Sequence, residues 1–489
     1  MPIRIFRLWL PCALAVAAAG CAPQAPIGRA QIGLPPRFES AASPVAPAAL
    51  DRWWEGLGDA QLTDLIETAL ASATDARLAH ARIREARALR AQARAATLPT
   101  GNLAASAAAQ RTEQLAGNTA LTPGAPAIAG QGWTEAYQLA FTPSWEIDLF
   151  GRLDAIRDRA DLDERAAAFD YFAARMALAA DVATGLFQAR GLAAQEEDAA
   201  ETLRIAHDLA ASAQLGLRRG LVSGADAARL DSDVANAEAE VTRLAAAARI
   251  AKRSLLVLSG RPFAATDQLV ITPLLPPPPP LGETVPSVLL ARRPDVLAAG
   301  ARLASAARAI DIDRLALFPR LDFQPGATLT RTTGLFGGTS VLWSLATGIG
   351  LPVLDRARLI DQLRVTQARG EQAVITYEQA VQSAFREAEN TLTQLAADRV
   401  RLDELGRATE RARYAFDAAR TGYRIGLTDL TTLIQSQRTW LQTRSTLRQL
   451  QSAALGDYVA AVRALGGGWS PQAVARSAGQ PDVLLPDLR

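Results

Sequence analysis

Residues able to run catalysis or hold a metal are scarce in this chain. Its 489 residues include two histidines, His80 and His207, and two cysteines, Cys12 and Cys21, too few for a zinc cluster or a disulfide framework. Asp, Glu and Arg are scattered along helical stretches, with no Ser-His pair or metal cluster to organise them, so an enzyme is disfavoured. The 52 Lys+Arg nearly balance 50 Asp+Glu, and every basic residue except Lys252 is Arg. Such a balance lacks the concentrated basic face that nucleic acid requires. With 49% apolar and 21% charged residues, the composition is that of a folded protein rather than a disordered one.

Cys21 is the exception, because of what precedes it. Arg4 and Arg7 form a short positive region, Leu8 to Ala19 an apolar one, and small residues lead to the cysteine. This is the anatomy of a secretory signal over residues 1–20. A membrane anchor is the competing reading, but Pro11 interrupts the run and it falls short of the roughly 18 to 20 residues needed to span. Ala18-Ala19-Gly20-Cys21 resembles the bacterial lipoprotein box, with Ala18 where leucine is usual. The resemblance implies that Cys21 becomes the N-terminus and carries a diacylglycerol and an N-acyl chain, with no other cofactor. It also implies that Ala22, in place of Asp, permits transfer to the outer membrane. Each buried CH₂ adds about 0.8 kcal/mol to such anchoring. Beyond the signal no segment offers a transmembrane helix, so any crossing of a bilayer falls to strands.

Residues 21–52, with Pro23, Pro26, Pro35, Pro36, Pro44 and Pro47, read as a lipidated tether or a surface strap. Residues 61–96 favour one helix stopped by Pro99, and residues 152–215 contain no proline and only Gly185 and Gly191. That single long helix far exceeds the usual 11 to 12 residues. Gly216 and Gly220 are expected to break it before helix resumes from Ala225 to Leu258. A connector at 273–285, with Pro273 and Pro276 to Pro280, divides a first repeat at 53–272 from a second at 286–466, followed by a tail at 467–489. Pro286 to Phe318 reads as helix ending at Pro319, and Arg356 to Ala419 as a second long helix. Gly422 and Gly426 then repeat Gly216 and Gly220, each pair followed by leucine at the same spacing. Leu430, Leu433, Ile434, Trp440, Leu441, Leu447, Leu450, Leu455, Tyr458, Val462 and Leu465 form the apolar stripe of a helix packed beside others.

Between each proline stop and each long helix lie two candidate strands. Trp133, Tyr137, Leu139 and Phe141 alternate with Thr134, Ala136, Gln138 and Ala140; Val341, Trp343, Leu345, Ile349 and Leu351 alternate with Ser344, Ala346, Gly348 and Gly350. Weaker partners lie near Leu103 to Arg111 and Leu321 to Arg331, where Pro325 and alanines dilute the pattern. At roughly 9 to 11 residues each, these suit an outer-membrane barrel, with turns at 112–132 and 332–340; a soluble hairpin is the alternative. Four strands cannot close a barrel, and open edges are not tolerated in lipid. Two copies give eight strands and a filled interior; three give twelve and an aqueous lumen, which predicts a homotrimer.

Several motifs in order carry a wider resemblance: Trp53-Trp54-Glu55-Gly56-Leu57-Gly58-Asp59 leading to Leu65-Ile66-Glu67-Thr68-Ala69-Leu70, and Ser144-Trp145-Glu146-Ile147-Asp148-Leu149-Phe150-Gly151-Arg152. Leu258-Ser259-Gly260-Arg261-Pro262, Leu290-Ala291-Arg292-Arg293-Pro294-Asp295-Val296 and Leu317-Phe318-Pro319 complete it. Over about residues 53–465 the chain resembles outer-membrane efflux lipoproteins of the NodT/OprM type, the TolC-like outer membrane factors. Gly300 replaces a glutamate usual there, and Asp355-Arg356-Ala357-Arg358 departs from the usual Asp-Gly-Gly-Arg turn.

The resemblance implies a mainly α fold with a membrane β portion: a homotrimeric 12-stranded β-barrel continued by a 12-helix α-barrel, built from two internal repeats. It implies passive conduction of drugs or other small molecules from a periplasmic adaptor and an inner-membrane transporter of the RND class, with outer-membrane lipids as surroundings. It places Gly220, Leu221, Val222, Gly426, Leu427 and Thr428 at tips that meet the adaptor. Tyr423 and Arg438 match its narrow periplasmic aperture. Thr431, Thr432 and Gln435 stand where relatives carry apolar or acidic residues, and Asp429 is the substitute acid on offer. A solvated helix charge is an equal reading for Arg438. A periplasmic coiled-coil lipoprotein acting as adaptor or scaffold is the alternative class; a single helical hairpin flanked by β domains would mark it.

Overall fold

Stretches without proline become helices of unusual length. The computed structural model describes residues 28, 30–39, 50–112, 132–281, 291–333 and 337–470. Cys21, the signal, residues 113–131 and residues 471–489 lie outside them. The helices are α1 (Ala60–Ser72), α2 (Thr74–Ala95), α3 (Arg152–Arg218), α4 (Gly224–Leu258), α5 (Pro294–Leu315), α6 (Arg356–Arg424) and α7 (Leu430–Ala464). The strands are β1 (Thr100–Thr112), β2 (Gly132–Ile147), β3 (Arg320–Thr332) and β4 (Gly338–Gly350). At 67 and 69 residues, α3 and α6 are each about 100 Å long. Pro294 opens α5 at the first helical position, where a missing N–H costs nothing; residues 286–290 of the expected helix lie outside the described residues.

The structure corrects the expected single helix over 61–96. Ala73 is extended (φ −60°, ψ 147°) and separates α1 from α2. The cause is remote: Gly260, at φ 75°, lies against this break so closely that a Cβ on it would stand 3.0 Å from the Ser72 carbonyl carbon and 3.1 Å from the Ala73 nitrogen. Gly216 and Gly422, expected to break helices, lie instead inside the last turns of α3 and α6.

The chain forms two compact units. One comprises Glu85–Arg165 and Ala301–Thr376 together with residues up to Ala30. It contains the sheet, an antiparallel meander in the order β1-β2-β3-β4, with strands of 13 to 16 residues rather than 9 to 11. In the register Leu103 faces Phe141, Leu139 faces Leu329 and Leu329 faces Val341. Directly opposed residues share a face, so all odd-numbered positions lie on one side. There stand Trp133, Tyr137, Leu139, Phe141, Trp145, Phe323, Leu329, Val341, Trp343, Leu345 and Ile349, with the charges Arg111, Glu135 and Arg331 gathered near the Thr112 end of the sheet. The even side carries Asn102, Ser106, Gln138, Thr142, Thr328, Thr330, Ser340 and Ser344 among alanines, with Leu342 its one large apolar side chain. Pro143 and Pro325 oppose one another between two paired runs of the β2·β3 ladder, so both missing N–H groups fall at one place.

The other unit, Gln31–Arg84, Ala166–Gly300 and Tyr377–Arg489, holds the main core. Trp53, Trp54, Leu62, Leu65 and Ile66 pack on Leu178 to Phe187 of α3, Leu255 and Leu256 of α4, and Leu455 to Ala464 of α7 with Leu465 just beyond it. Residues 30–39 are a strap rather than a free tether. Phe38 is buried and stacks on Phe385 at 5.5 Å, and Ile32 and Leu34 pack around Val296, Val381 and Ala384. Residues 467–470, the start of the expected tail, turn inward: Trp469 stacks on Phe172 at 5.3 Å.

The motif residues act as ties within this unit. Asp59 caps α1 by accepting from the Leu62 N–H (3.0 Å) and pairs with buried Arg190, whose Nη2 also donates to Gln61. Burial pushes the Asp59 carboxyl up, but Arg190 and the Leu62 N–H outweigh it and hold its pKa below the usual value. Arg292 ion-pairs with Asp51 and donates to the Gly466 carbonyl; Arg293 donates to the Ala464 carbonyl and pairs with Glu387 at 2.7 Å. Both arginines thereby hold the end of α7.

Candidate functional site: a membrane sheet and two helical tips

The sheet has no core of its own. Every residue of β4 is exposed in the single chain, and Trp133, Trp343, Leu345 and Ile349 are 64%, 79%, 71% and 68% exposed. Water would penalise such a face at roughly 25 cal/mol per Å²; hydrocarbon would not. An apolar face against a small and polar one, carried over four strands in a single register, is the pattern of an outer-membrane barrel wall. β1 and β4 each leave one edge unpaired within the chain. No described helix is long and apolar enough to cross a membrane.

At the strand-to-helix turn after β2, Asp148 accepts from the N–H groups of Gly151 (2.9 Å), Arg152 (2.8 Å) and Asp154 (3.0 Å). Arg152 reaches back to Glu146 at 2.5 Å, and Gly151 takes φ 83°. The Glu-Ile-Asp-Leu-Phe-Gly-Arg motif is thus a rigid corner that turns a strand into a helix.

The two glycine turns are built alike. Leu221 N–H donates to the Gly216 carbonyl (2.9 Å) and Gly220 N–H to Leu217 (3.0 Å); Leu427 and Gly426 donate to Gly422 (2.8 Å) and Tyr423 (3.1 Å) in the same way. These are Schellman closures, with Gly220 (φ 69°) and Gly426 (φ 77°) in the left-handed position that favours glycine. The earlier glycine of each pair gives room: a Cβ on Gly216 would stand 2.6 Å from Val222 Cγ2, and one on Gly422 would collide with the Thr428 side chain. Ser223 then caps α4 through the Asp226 N–H (3.1 Å), and Asp429 caps α7 through the Thr432 N–H (2.6 Å).

Of the six tip residues, Leu221 and Leu427 project outward, 78% and 82% exposed. Val222 tucks against Leu230 and Ile434, while Thr428 is half-buried over Gly422. Tyr423 is half-buried beside Phe416 and Trp440. Thr431, Thr432 and Gln435 are exposed along the first turns of α7. The Asp429 carboxylate is engaged as a cap, and its hydrogen bonds to Thr432 hold its pKa low. Arg438 pairs with Asp233 of α4 at 2.7 Å. Asp233 escaped sequence reading because its partner lies far along the chain; Ser223 was readable, standing in the turn where Asp429 stands in the other.

Two buried acid sites were also missed. Asp198 receives Arg444 and Arg448, and Arg444 lies over the Trp440 ring at 5.4 Å. Asp398, fully buried, accepts from Gln394 (3.0 Å) and Arg401 (3.2 Å), while its Oδ2 meets no donor. Burial and the Asp398 carboxyl beside it push the Asp457 pKa up to about 6.

A wall segment for a membrane barrel joined to paired helices with shaped tips defines the class, an outer-membrane channel. The chain belongs to the outer membrane efflux protein family, which it matches over residues 65–261 and 285–467. It is 30% identical to the pyoverdine export outer membrane protein OpmQ of Pseudomonas putida over 451 residues, covering 91% of this chain and 94% of that one. It is likewise 30% identical to the toluene efflux pump outer membrane protein TtgF of Pseudomonas putida over 486 residues, 94% of this chain and 97% of that one. The solved outer-membrane channel OprN superposes with a TM-score of 0.79 at 28% identity, over 92% of this chain and all of that one. Membership makes the protein an efflux channel of the outer membrane and not an enzyme.

Proposed function

We propose that the protein is the passive exit duct of a tripartite efflux system, a lipid-anchored homotrimer. The observation that carries this reading is the open four-stranded sheet with an apolar outer face. Unpaired strand edges in hydrocarbon cost several kcal/mol for each unsatisfied group, so the edges of β1 and β4 need partners. Three copies give twelve strands and leave a lumen lined by the even face; two would give eight and fill it. Duplication explains why α2 and α5 both have 22 residues and α4 and α7 both have 35. The twelve-helix tube then draws α3, α4, α6 and α7 from each copy.

Leu221 and Leu427 are the apolar knobs of the tips and the contacts offered to a periplasmic adaptor, through which an inner-membrane pump of the RND class supplies energy. Cys21 carries the acyl chains. Because Thr431, Thr432 and Gln435 are uncharged, the aperture prefers cations only weakly; Arg438 and Asp233 form its charged pair. Relatives named for pyoverdine and for toluene are both 30% identical to the chain, so identity alone selects no cargo.

The test is conductance of the detergent-extracted protein in planar bilayers, with its mass measured in parallel. Trimers with steady conductance and a reversal potential near zero in a salt gradient are expected. Monomers without conductance would refute the duct, and strong cation preference the aperture. Radiolabelled palmitate should enter the wild type and not Cys21→Ser.

A further inference from the structure

Resting on the trimer reading, we infer that the contact between copies repeats the chain's own β2·β3 junction, setting Leu345 of one copy opposite Ala107 of the next and seating Leu354 on Leu98. Inside one chain, the turn after β2 brings Phe150, directly before Gly151 and α3, onto Phe318 at the end of the α5 segment, with ring centroids 5.2 Å apart. The second half holds the same positions. Leu354 stands two residues before α6, as Phe150 stands two before α3, and Leu98 precedes Pro99 and β1 as Phe318 precedes Pro319 and β3. Yet Leu354 is 97% and Leu98 60% exposed. They are the two halves of an apolar contact that one chain cannot make with itself.

The same correspondence fixes a register. In the β2·β3 ladder Phe141 faces Ala327 and Leu139 faces Leu329. Shifting β2 onto β4 by the helix starts and β3 onto β1 by the prolines sets Leu345 against Ala107, Trp343 against Ala109 and Val341 against Arg111. Odd positions stay with odd ones, so the apolar side remains outward around the ring; a slip of one residue would turn it inward. Sizes agree as well. Tyr137 already faces Ala107, and both Phe141 and Trp343 face Ala327, so bulky rings sit beside alanines. The new pairs place Trp343 and Leu345 beside Ala109 and Ala107.

Barrel geometry is compatible with this register. The ladder from Ala105 runs through Leu139 and Leu329 to Val341, and then returns on Arg111 of the next copy, six residues further along β1. Three copies accumulate a stagger of about eighteen residues. With a rise of about 3.3 Å and a strand spacing of about 4.7 Å, twelve strands then tilt by roughly 46°, at the edge of the 35 to 45° usual for barrels. The hairpin registers, Leu103 on Phe141 and Phe323 on Thr347, differ from this correspondence by two residues: taken on β4, the difference sets Leu345 against Ala109 and tilts the strands to roughly 55°, and taken on β1 it sets Leu345 against Ala105 and tilts them to roughly 35°.

Disulfide trapping in membranes tests this in the full chain. Cys21 is the only cysteine after the signal, and Cα atoms of directly opposed antiparallel residues lie about 4.5 to 5.5 Å apart, within the roughly 4.4 to 6.8 Å that a disulfide spans. Ala107→Cys with Leu345→Cys should give trimer-sized covalent species on oxidation. Leu345→Cys with Ala105→Cys or with Ala109→Cys should give several-fold less. Trapping that favours a shifted pair overturns the register and leaves the trimer standing. Absence of trapping at all three pairs, with monomers by mass, refutes the trimer itself. Leu354→Asp and Leu98→Asp should each lower the temperature at which the detergent-solubilised trimer dissociates, whereas Leu354→Met should not; unchanged dissociation in both Asp variants would overturn the seat.

Discussion

The sheet and the helical core solve opposite problems with the same composition rules. In the core, Trp53, Leu62 and Phe187 turn inward and charges such as Arg190 and Arg293 are buried only where carboxylates or carbonyls meet them. In the sheet, Trp343 and Leu345 turn outward and small polar residues occupy the other side. The contrast teaches that hydrophobic does not mean interior; the surroundings decide which face is outside.

Substitutions can break that contrast. The largest effect is expected in the core, where Asp59→Ala leaves the Arg190 charge buried without its partner and costs about 3 to 5 kcal/mol, measured as a loss of thermal stability of the extracted protein. Next is the outward face. Leu139→Arg should cost about 2 to 4 kcal/mol and impair insertion, whereas Gln138→Arg, one residue away on the other side, should insert normally and alter conductance instead. Equal effects at 138 and 139 would dissolve the distinction. Gly426→Ala places a Cβ at φ 77° and should cost about 1 to 2 kcal/mol, weakening adaptor binding more than trimer formation.

The smallest effect concerns pH. The Asp457 pKa of about 6 exceeds its unfolded value near 3.8, so the stability it contributes is present below about pH 4 and lost as pH rises through 6. Asp457→Asn should flatten the fall in melting temperature between pH 4 and 7 and stabilise the protein at pH 7.5. A variant that keeps the wild-type slope would show that the Asp398 neighbourhood does not set it.

Much of the architecture was legible because long helices need only the absence of proline, and tips need glycine where φ is positive. The break at Ala73 was not, since it is imposed by Gly260 and by Ser72 reaching the Ser259 carbonyl, 187 residues away. Strand length was underestimated because Ala104 to Ala109 have weak strand propensity and Pro325 reads as an interruption, whereas register places it opposite Pro143. At the tips, glycine spacing revealed the turns but not which side chains project. Leu221 and Val222 are neighbours of similar character, and only packing against Leu230 separates them. The Arg438–Asp233 pair and the Asp398–Asp457 site join distant helices, and no local pattern announces them.

The β2·β3 ladder makes the middle of the sheet a seam between segments separated by the whole of α3, α4 and α5. The sheet is therefore two local hairpins joined by a single pairing of high sequence separation, and loop-closure entropy makes that central pairing the slow step of its assembly.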